Sequence, residues 1–123
     1  KTMKHAFYHP WNDIAIPPFL HDMTQFTNVD HSQRNYKVFF SGSIKPWNLA
    51  YSKGVRQYIA KHYANQTNWY VHQRTTNLSP ELRGQFVSAI RHSVFCICPE
   101  GLFAYTPRIT ESILSGCIPV LMS

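Results

Sequence analysis

The sequence predicts an α/β fold in which helices cover both faces of a parallel β-sheet. Two observations predict it: short apolar runs alternate with segments of helical periodicity, and those runs are apolar throughout instead of at every second position. Strands that are buried on both faces have this composition, which is typical of parallel sheets. Because the segments follow each other as βαβαβαβ, we expect a Rossmann-like sheet with right-handed crossovers.

Four apolar runs predict the strands. The first, residues 37–40, is closed by the turn Ser41-Gly42-Ser43. The third, residues 94–98, is stopped by Pro99 and Gly101. The strands are therefore expected near residues 36–40, 69–72, 94–98 and 118–122.

Three segments between these strands predict helices. Residues 52–63 carry apolar side chains at helical spacing. Ser79-Pro80 supplies the cap and the first residue of the second helix, and Thr106-Pro107 supplies the same pair for the third. Gly116 is expected to end the third helix.

The first 35 residues have a different composition, with three prolines, many polar residues and no helical period. Residues 13–19 predict one short strand that ends at the pair Pro17-Pro18, and the rest is expected to be loop or a connector between domains. Residues 36–123 would then form one domain. Because the sequence starts and stops inside segments that are predicted to be structured, we expect it to be a piece of a longer protein.

Composition narrows the class of partner. Of 123 residues, 44% are apolar and 15% charged, which is typical of a globular domain. The net charge of +6 favours anionic partners, but no run of five basic residues is present, so nucleic-acid binding is not predicted. A few cationic side chains that bind a pyrophosphate would explain the net positive charge equally well. No stretch of about 18 apolar residues predicts a membrane span, and no signal peptide opens the chain.

Three cysteines, Cys96, Cys98 and Cys117, lie in the last third of the chain. Their odd number and clustering argue against a disulfide framework. His92 together with Cys96 and Cys98 could suggest zinc, but an apolar strand commonly buries such cysteines. We therefore predict no metal site.

Ligands of a parallel sheet bind at the carboxyl ends of the strands, which directs attention to two places. After the first strand, Ser41 and Gly42 could let backbone N–H groups approach a phosphate, or could form an ordinary turn. Neither the G-x-G-x-x-G fingerprint nor the G-x-x-x-x-G-K-[ST] loop is present.

The second place is the loop after the third strand. Gly101 leads into a helix whose first turn carries Arg108, and the exposed N–H groups with the guanidinium could bind a diphosphate. Glu111, one turn on, could accept hydrogen bonds from ribose hydroxyls. If the two side chains bind a ligand, we expect both to point into an open crevice above the sheet and not to pack against a neighbouring helix. The alternative is a plain surface salt bridge between them. Arg56 could reach the same diphosphate, or it could be a solvated helix residue.

These residues carry a resemblance to a known family. Ser93-Val94-Phe95-Cys96-Ile97-Cys98-Pro99-Glu100-Gly101, then Arg108 and Glu111, then Gly116-Cys117-Ile118-Pro119-Val120, resembles the exostosin glycosyltransferases. Residues 13–19 look like that family's junction motif. Phe39-Phe40-Ser41-Gly42, followed by Tyr51-Ser52-Lys53-Gly54-Val55-Arg56, looks like the start of its second domain.

The resemblance implies a GT-B enzyme, in which two Rossmann-like domains bring donor and acceptor together in a cleft. It implies transfer of a sugar from a nucleotide-sugar, usually a UDP-sugar, to a glycan or polysaccharide with inversion, and no cofactor. Residues 1–35 would be the connector and the end of the acceptor domain, and residues 36–123 an incomplete donor-binding domain that is inactive alone. Arg108 would meet the diphosphate and Glu111 the ribose, with Ser41, Gly42, Arg56 and Gly101 beside them.

The catalytic base would then lie outside this chain. Family members are Golgi proteins with one N-terminal membrane anchor, so we expect a lumenal domain whose anchor is also outside it, and we predict no oligomeric state. Leu102 departs from the family, which has an acidic residue there. Asn65-Gln66-Thr67 is a glycosylation sequon, and Asn77-Leu78-Ser79 is a poorer one because Pro80 follows. The alternative function is a non-catalytic module that only binds a nucleotide or glycan.

Overall fold

The computed structural model describes residues 11–14, 22–74, 79–101 and 106–122. Within them lie four strands and three α-helices in the predicted alternating order. The strands are β1 (Tyr36–Gly42), β2 (Trp69–Gln73), β3 (Ser93–Pro99) and β4 (Ile118–Met122). The helices are α1 (Val55–Tyr63), α2 (Pro80–Arg91) and α3 (Arg108–Leu114).

All four strands form one parallel sheet in the order β2-β1-β3-β4, which confirms the predicted fold class. The two central strands pair with Val38 opposite Phe95 and Phe39 opposite Cys96. Their buried positions explain why the sequence of each run is apolar throughout, since helices cover both faces. The carboxyl ends of β1 and β3 lie side by side at one edge of the sheet.

Two apolar clusters, one on each face of the sheet, hold the helices in place. On the α2 face, Phe39 packs with Phe86 and Ile90. On the α1 face, its neighbours Val38 and Phe40 pack with Ile59. Successive residues of β1 therefore serve opposite faces, as the pleat of a strand requires.

The first predicted helix begins later than expected. Residues 51–54 form a short 3₁₀ turn, in which Ser52 and Lys53 have the positive φ angles 58° and 49°, and Gly54 has 78°. A left-handed run cannot continue into a right-handed helix, so α1 starts only at Val55. The apolar spacing over residues 52–63 gave no sign of this reversal.

The predicted cap of α2 is confirmed, and the predicted cap of α3 is shifted by one residue. The Ser79 hydroxyl accepts a hydrogen bond from the Leu82 N–H at the start of α2. The Thr106 hydroxyl accepts one from the Arg108 N–H, and Pro107 occupies the N-cap position of α3, one residue earlier than predicted. Gly116, at φ 67°, follows the end of α3.

The segment before β1 packs against the domain. Phe26 is buried in the α2-face cluster, in edge contact with Phe86. The Arg34 guanidinium donates to the carbonyls of Ser93 and Ser115. The strand predicted over residues 13–19 lies largely outside the described residues, and the domain boundary at residue 35 stays a prediction.

The expectation that the cysteines form no disulfide is wrong. Cys96 and Cys117 are joined by a disulfide, with a Cα–Cα distance of 5.9 Å. Parallel pairing of β3 and β4 sets Pro119 opposite Cys96, so Cys117, just before β4, comes within bonding reach. The odd count misled because one thiol of the three, Cys98, stays free and buried. Within the described residues, no helix has the length and apolar content to cross a membrane.

Candidate functional site

The six predicted site residues come together at the carboxyl edge of β1 and β3. Two guanidinium groups organise them, one from α1 and one from α3. The first contacts both glycines, and the second contacts the β1 carbonyl and the carboxylate. The six residues are Ser41, Gly42, Arg56, Gly101, Arg108 and Glu111.

Arg56 is neither solvated nor free to reach a ligand with its whole guanidinium. The residue is 8% exposed, and its nitrogens donate to the carbonyls of Ser43, Pro99 and Glu100 and to the Tyr51 hydroxyl. These bonds take four of the five donors that a guanidinium has. Arg56 therefore joins the loop after β1 to the end of β3. The interpretation as a solvated helix residue is wrong, and its contact with a diphosphate stays a prediction.

The two glycines provide room for that guanidinium. A Cβ atom at Gly42 would lie 3.1 Å from Arg56 Nη1, and one at Gly101 would lie 3.2 Å from Arg56 Nη2. Both distances are tighter than ordinary van der Waals contact. The lack of a side chain at these two glycines thus allows the buried Arg56 guanidinium to approach their backbone closely. The predicted approach of a phosphate to their N–H groups stays a prediction.

Arg108 and Glu111 form an ion pair, with 3.1 Å between Nε and Oε2. We expected both side chains in an open crevice, but they are only 11% and 14% exposed. The Arg108 guanidinium also donates to the Ser41 carbonyl and lies 4.9 Å from the ring of Phe86 on α2. Packing against α2 is the reverse of what we predicted, because the short α3 sets this side chain between the sheet and α2.

The first turn of α3 offers fewer free N–H groups than expected. Arg108 donates to the Thr106 hydroxyl, Ile109 to the Thr106 carbonyl and Glu111 to the Pro107 carbonyl. With these bonds made, the N-terminus of a seven-residue helix has little left for a diphosphate. Among the residues described in α3, anion recognition therefore depends mainly on the side-chain cation Arg108. Leu102, the departure from the family pattern, lies outside the described residues.

A third guanidinium at this edge was missed in the sequence. Arg74 directly follows β2, and its N–H donates to the Gly42 carbonyl at 3.0 Å. Its guanidinium lies 5.8 Å from the same Phe86 ring that Arg108 contacts. The signal was available, since a cation immediately after a strand of a parallel sheet falls at the ligand-binding edge.

The electrostatics of the edge favour an anion. Burial lowers the pKa of Arg108, the Glu111 carboxylate raises it, and the charges of Arg74 and Arg56 lower it. Burial also lowers the pKa of Arg56. Of the carboxylates here, Glu111 pairs with Arg108 and Glu100 pairs with Lys53 at 3.1 Å. Among the described side chains the cations outnumber them, so the edge keeps an excess of positive charge.

No group of three His, Cys, Asp or Glu side chains in the described ranges has the geometry of a metal site. Cys96 is committed to its disulfide, and the His92 ring lies 2.8 Å from the Ser88 carbonyl through Nδ1. Cys98 lies behind the site, with its sulfur 3.8 Å from the Ser112 hydroxyl, and burial raises its pKa. The thiol is thus kept neutral, and we assign it no chemistry.

Comparison with known proteins finds relatives of this chain. The protein named "Probable glucuronoxylan glucuronosyltransferase IRX7" of Arabidopsis thaliana is 30% identical over 135 residues, which cover 100% of this chain and 29% of that protein. A "Probable glucuronosyltransferase" of Oryza sativa subsp. japonica is 30% identical over 117 residues, 89% of this chain and 26% of that protein. A "Probable glycosyltransferase" of Arabidopsis thaliana is 31% identical over 121 residues, 94% of this chain and 21% of that protein.

The chain thus spans less than a third of the length of these relatives. No solved structure gives a significant match. The family model described as "Exostosin GT47 domain" matches residues 1–123, the whole chain. This protein therefore belongs to the Exostosin GT47 domain family.

Proposed function

We propose that this chain is the donor-binding part of a glycosyltransferase that moves a sugar from a nucleotide-sugar to a glycan or polysaccharide. The observation that carries the proposal is the cluster of arginine side chains at the carboxyl edge of β1 and β3. One of them, Arg108, is largely buried and pairs with the acidic side chain of Glu111. Ligands of parallel sheets bind at this edge. The relatives named glucuronosyltransferases support the same class of reaction and suggest a uronic acid as the transferred sugar.

Arg108 is proposed to contact the donor diphosphate. Its Nε and Nη1 are engaged by Glu111 and the Ser41 carbonyl, which leaves the second terminal nitrogen, Nη2, with no described protein acceptor. A guanidinium that is already oriented by two protein partners loses little freedom when it binds an anion. The ion pair with Glu111 therefore positions Arg108 for binding.

Glu111 is proposed to bind the ribose hydroxyls. One of its oxygens, Oε2, accepts from Arg108, and a carboxylate has lone pairs for further donors. Arg56, with Gly42 and Gly101 packed around it, holds the loops that shape the site. We propose a UDP-sugar as donor, inversion at the anomeric carbon, no cofactor, and a catalytic base from a domain outside this chain.

The test is turnover by the full-length protein. A panel of UDP-sugars that includes UDP-glucuronate, UDP-glucose and UDP-xylose is offered with xylan or heparan-type oligosaccharides. We expect transfer from at least one donor, with the product linkage inverted relative to the donor by NMR. A product that retains the donor configuration contradicts the inverting mechanism.

The second candidate is a non-catalytic module of the same fold that binds a nucleotide or glycan. It is favoured by the pairing of both carboxylates described at the edge, since Glu111 is engaged by Arg108 and Glu100 by Lys53. Calorimetry with UDP combined with the donor panel separates the two. Binding without turnover for every donor and acceptor supports the module and contradicts the enzyme.

We further propose a lumenal Golgi location. The Cys96–Cys117 disulfide supports an oxidising compartment. Asn65-Gln66-Thr67 is exposed in the turn between α1 and β2, where an oligosaccharide could be attached without disturbing the sheet. In contrast, the Ser79 hydroxyl of the poorer sequon is engaged as the cap of α2.

This location is tested by expressing the full-length protein in plant cells and treating it with an amidase that removes N-linked glycans. We expect a mobility shift on gels that is lost in Asn65→Gln and kept in Thr67→Ser, which preserves the sequon. An unglycosylated Asn65 in protein that is found in the cytosol by microscopy contradicts the proposal.

A further inference from the structure

Arg74 differs from the other two arginines at the carboxyl edge in how its donors are used. Arg56 gives its donors to three carbonyls and a hydroxyl, and Arg108 gives its donors to Glu111 and Ser41. The half-buried side chain of Arg74 donates no hydrogen bond to any other residue that the structure describes. Its five N–H donors are therefore open to a ligand.

A backbone hydrogen bond fixes the position of Arg74 at the carboxyl edge. Its N–H is bonded to the Gly42 carbonyl, one residue beyond Ser41, whose carbonyl holds Arg108. Both guanidiniums then lie over the ring of Phe86, at 5.8 Å for Arg74 and 4.9 Å for Arg108. An aromatic platform of this kind orients a guanidinium while leaving its edge free for hydrogen bonds.

The charges around Arg74 are unbalanced. Glu111 is 3.1 Å from Arg108, and Glu100 is 3.1 Å from Lys53, so both carboxylates at this edge already have cationic partners. Arg74 and Arg108 carry like charges beside the same Phe86 ring and repel each other. A partly buried cation beside a like charge, without an acceptor, is costly unless an anion binds there.

We infer that Arg74 binds an oxyanion of the donor substrate and is a second anion-binding residue of the site, beside Arg108. This inference rests on the proposed donor-binding function. The same fork geometry suits two sources of oxyanion, the diphosphate and the carboxylate of a uronic acid sugar. The two sources differ in which donors should lose affinity when Arg74 is changed.

The experiment is calorimetry on the full-length protein with UDP, UDP-glucose and UDP-glucuronate, for the wild type and the Arg74→Gln and Arg74→Lys variants. We expect Arg74→Gln to weaken binding about 10- to 100-fold, with partial recovery in Arg74→Lys because the charge returns without the fork. The matched control is Lys37→Gln, which removes an exposed cation at the opposite edge of the sheet and should leave every affinity within about twofold. Melting temperatures of all variants are measured to show that they are folded.

The pattern of losses identifies the oxyanion. An equal loss for all three ligands supports contact with the diphosphate, and a loss confined to UDP-glucuronate supports contact with the sugar carboxylate. Unchanged affinity for all three in folded Arg74→Gln overturns the inference while leaving the donor-binding function intact. A wild-type protein that binds none of the three overturns both.

Discussion

Arg56 and Arg108 place a guanidinium group at the same edge of the sheet, yet the groups that surround the two charges differ. Around Arg56 the partners are neutral, and they come from backbone carbonyls and a tyrosine hydroxyl. Around Arg108 they include a carboxylate, a second guanidinium and an aromatic ring. A guanidinium enclosed by carbonyls links segments of the fold, whereas one enclosed by charges is suited to exchange partners with a ligand.

The largest effect that this comparison predicts is on stability. Arg56→Ala leaves the carbonyls of Ser43, Pro99 and Glu100 without their donors, and we expect a loss of about 3–5 kcal/mol in the free energy of unfolding. Urea denaturation or thermal shift of the full-length protein measures it. The control is Lys61→Ala, an exposed cation of the same helix, which should cost less than about 0.5 kcal/mol. Equal melting temperatures for the two variants would contradict the structural role of Arg56.

The second prediction concerns the covalent link on the Arg108 side. The disulfide joins β3 to Cys117, just after α3, and Cys117→Ser should lower the unfolding free energy by about 2–4 kcal/mol. Because α3 carries Arg108, nucleotide affinity should fall in the same variant. Wild-type protein in reductant is the control and should melt at the temperature of the variant. A melting temperature that reductant leaves unchanged would show that the link is dispensable.

The third prediction is that alanine at two glycine positions changes the free energy of unfolding in opposite directions. Gly101→Ala would bring a methyl group to 3.2 Å from Arg56 Nη2, so we expect a loss of about 1 kcal/mol in the free energy of unfolding. Gly84, in the middle of α2, has open space where its Cβ would lie, and Gly84→Ala should instead stabilise by about 0.5–1 kcal/mol. Chemical denaturation of both variants decides it. A stabilising Gly101→Ala would argue against the close packing around Arg56.

The smallest expected effect is at Cys98. Burial raises the pKa of this thiol, so at pH 8 it stays protonated and a neutral thiol is a poor nucleophile. Mass spectrometry after iodoacetamide treatment should find the Cys98 peptide unmodified in native protein and modified in denaturant. As pH rises towards the raised pKa, native labelling should increase. Rapid native labelling at pH 8 would mean that the region behind Arg108 is open to solvent.

The comparison also separates what the sequence could predict from what it could not. The strands followed from continuous apolar runs such as residues 94–98, because burial on both faces leaves no other composition. The convergence of Ser41, Gly101 and Arg108 followed from parallel topology, which brings strand ends to one edge.

The partners of each guanidinium did not follow from the sequence. Those of Arg56 lie 13, 43 and 44 residues away at Ser43, Pro99 and Glu100, and no local pattern encodes such distances. The Cys96–Cys117 bond depends on β3–β4 pairing in the same way. The left-handed turn before Val55 was missed because the apolar positions that predicted the helix all lie at or after Val55, beyond the turn.

We expect the Arg108 region to bind the nucleotide, while the Arg56 region stabilises the fold. The most direct measurement is UDP affinity by calorimetry, with the unfolding free energy alongside, for Arg108→Ala in the full-length protein. We predict affinity about 10- to 150-fold weaker than wild type, together with a loss of stability, because the largely buried Glu111 carboxylate is left without its partner. Wild-type UDP affinity in folded Arg108→Ala protein would contradict the claim.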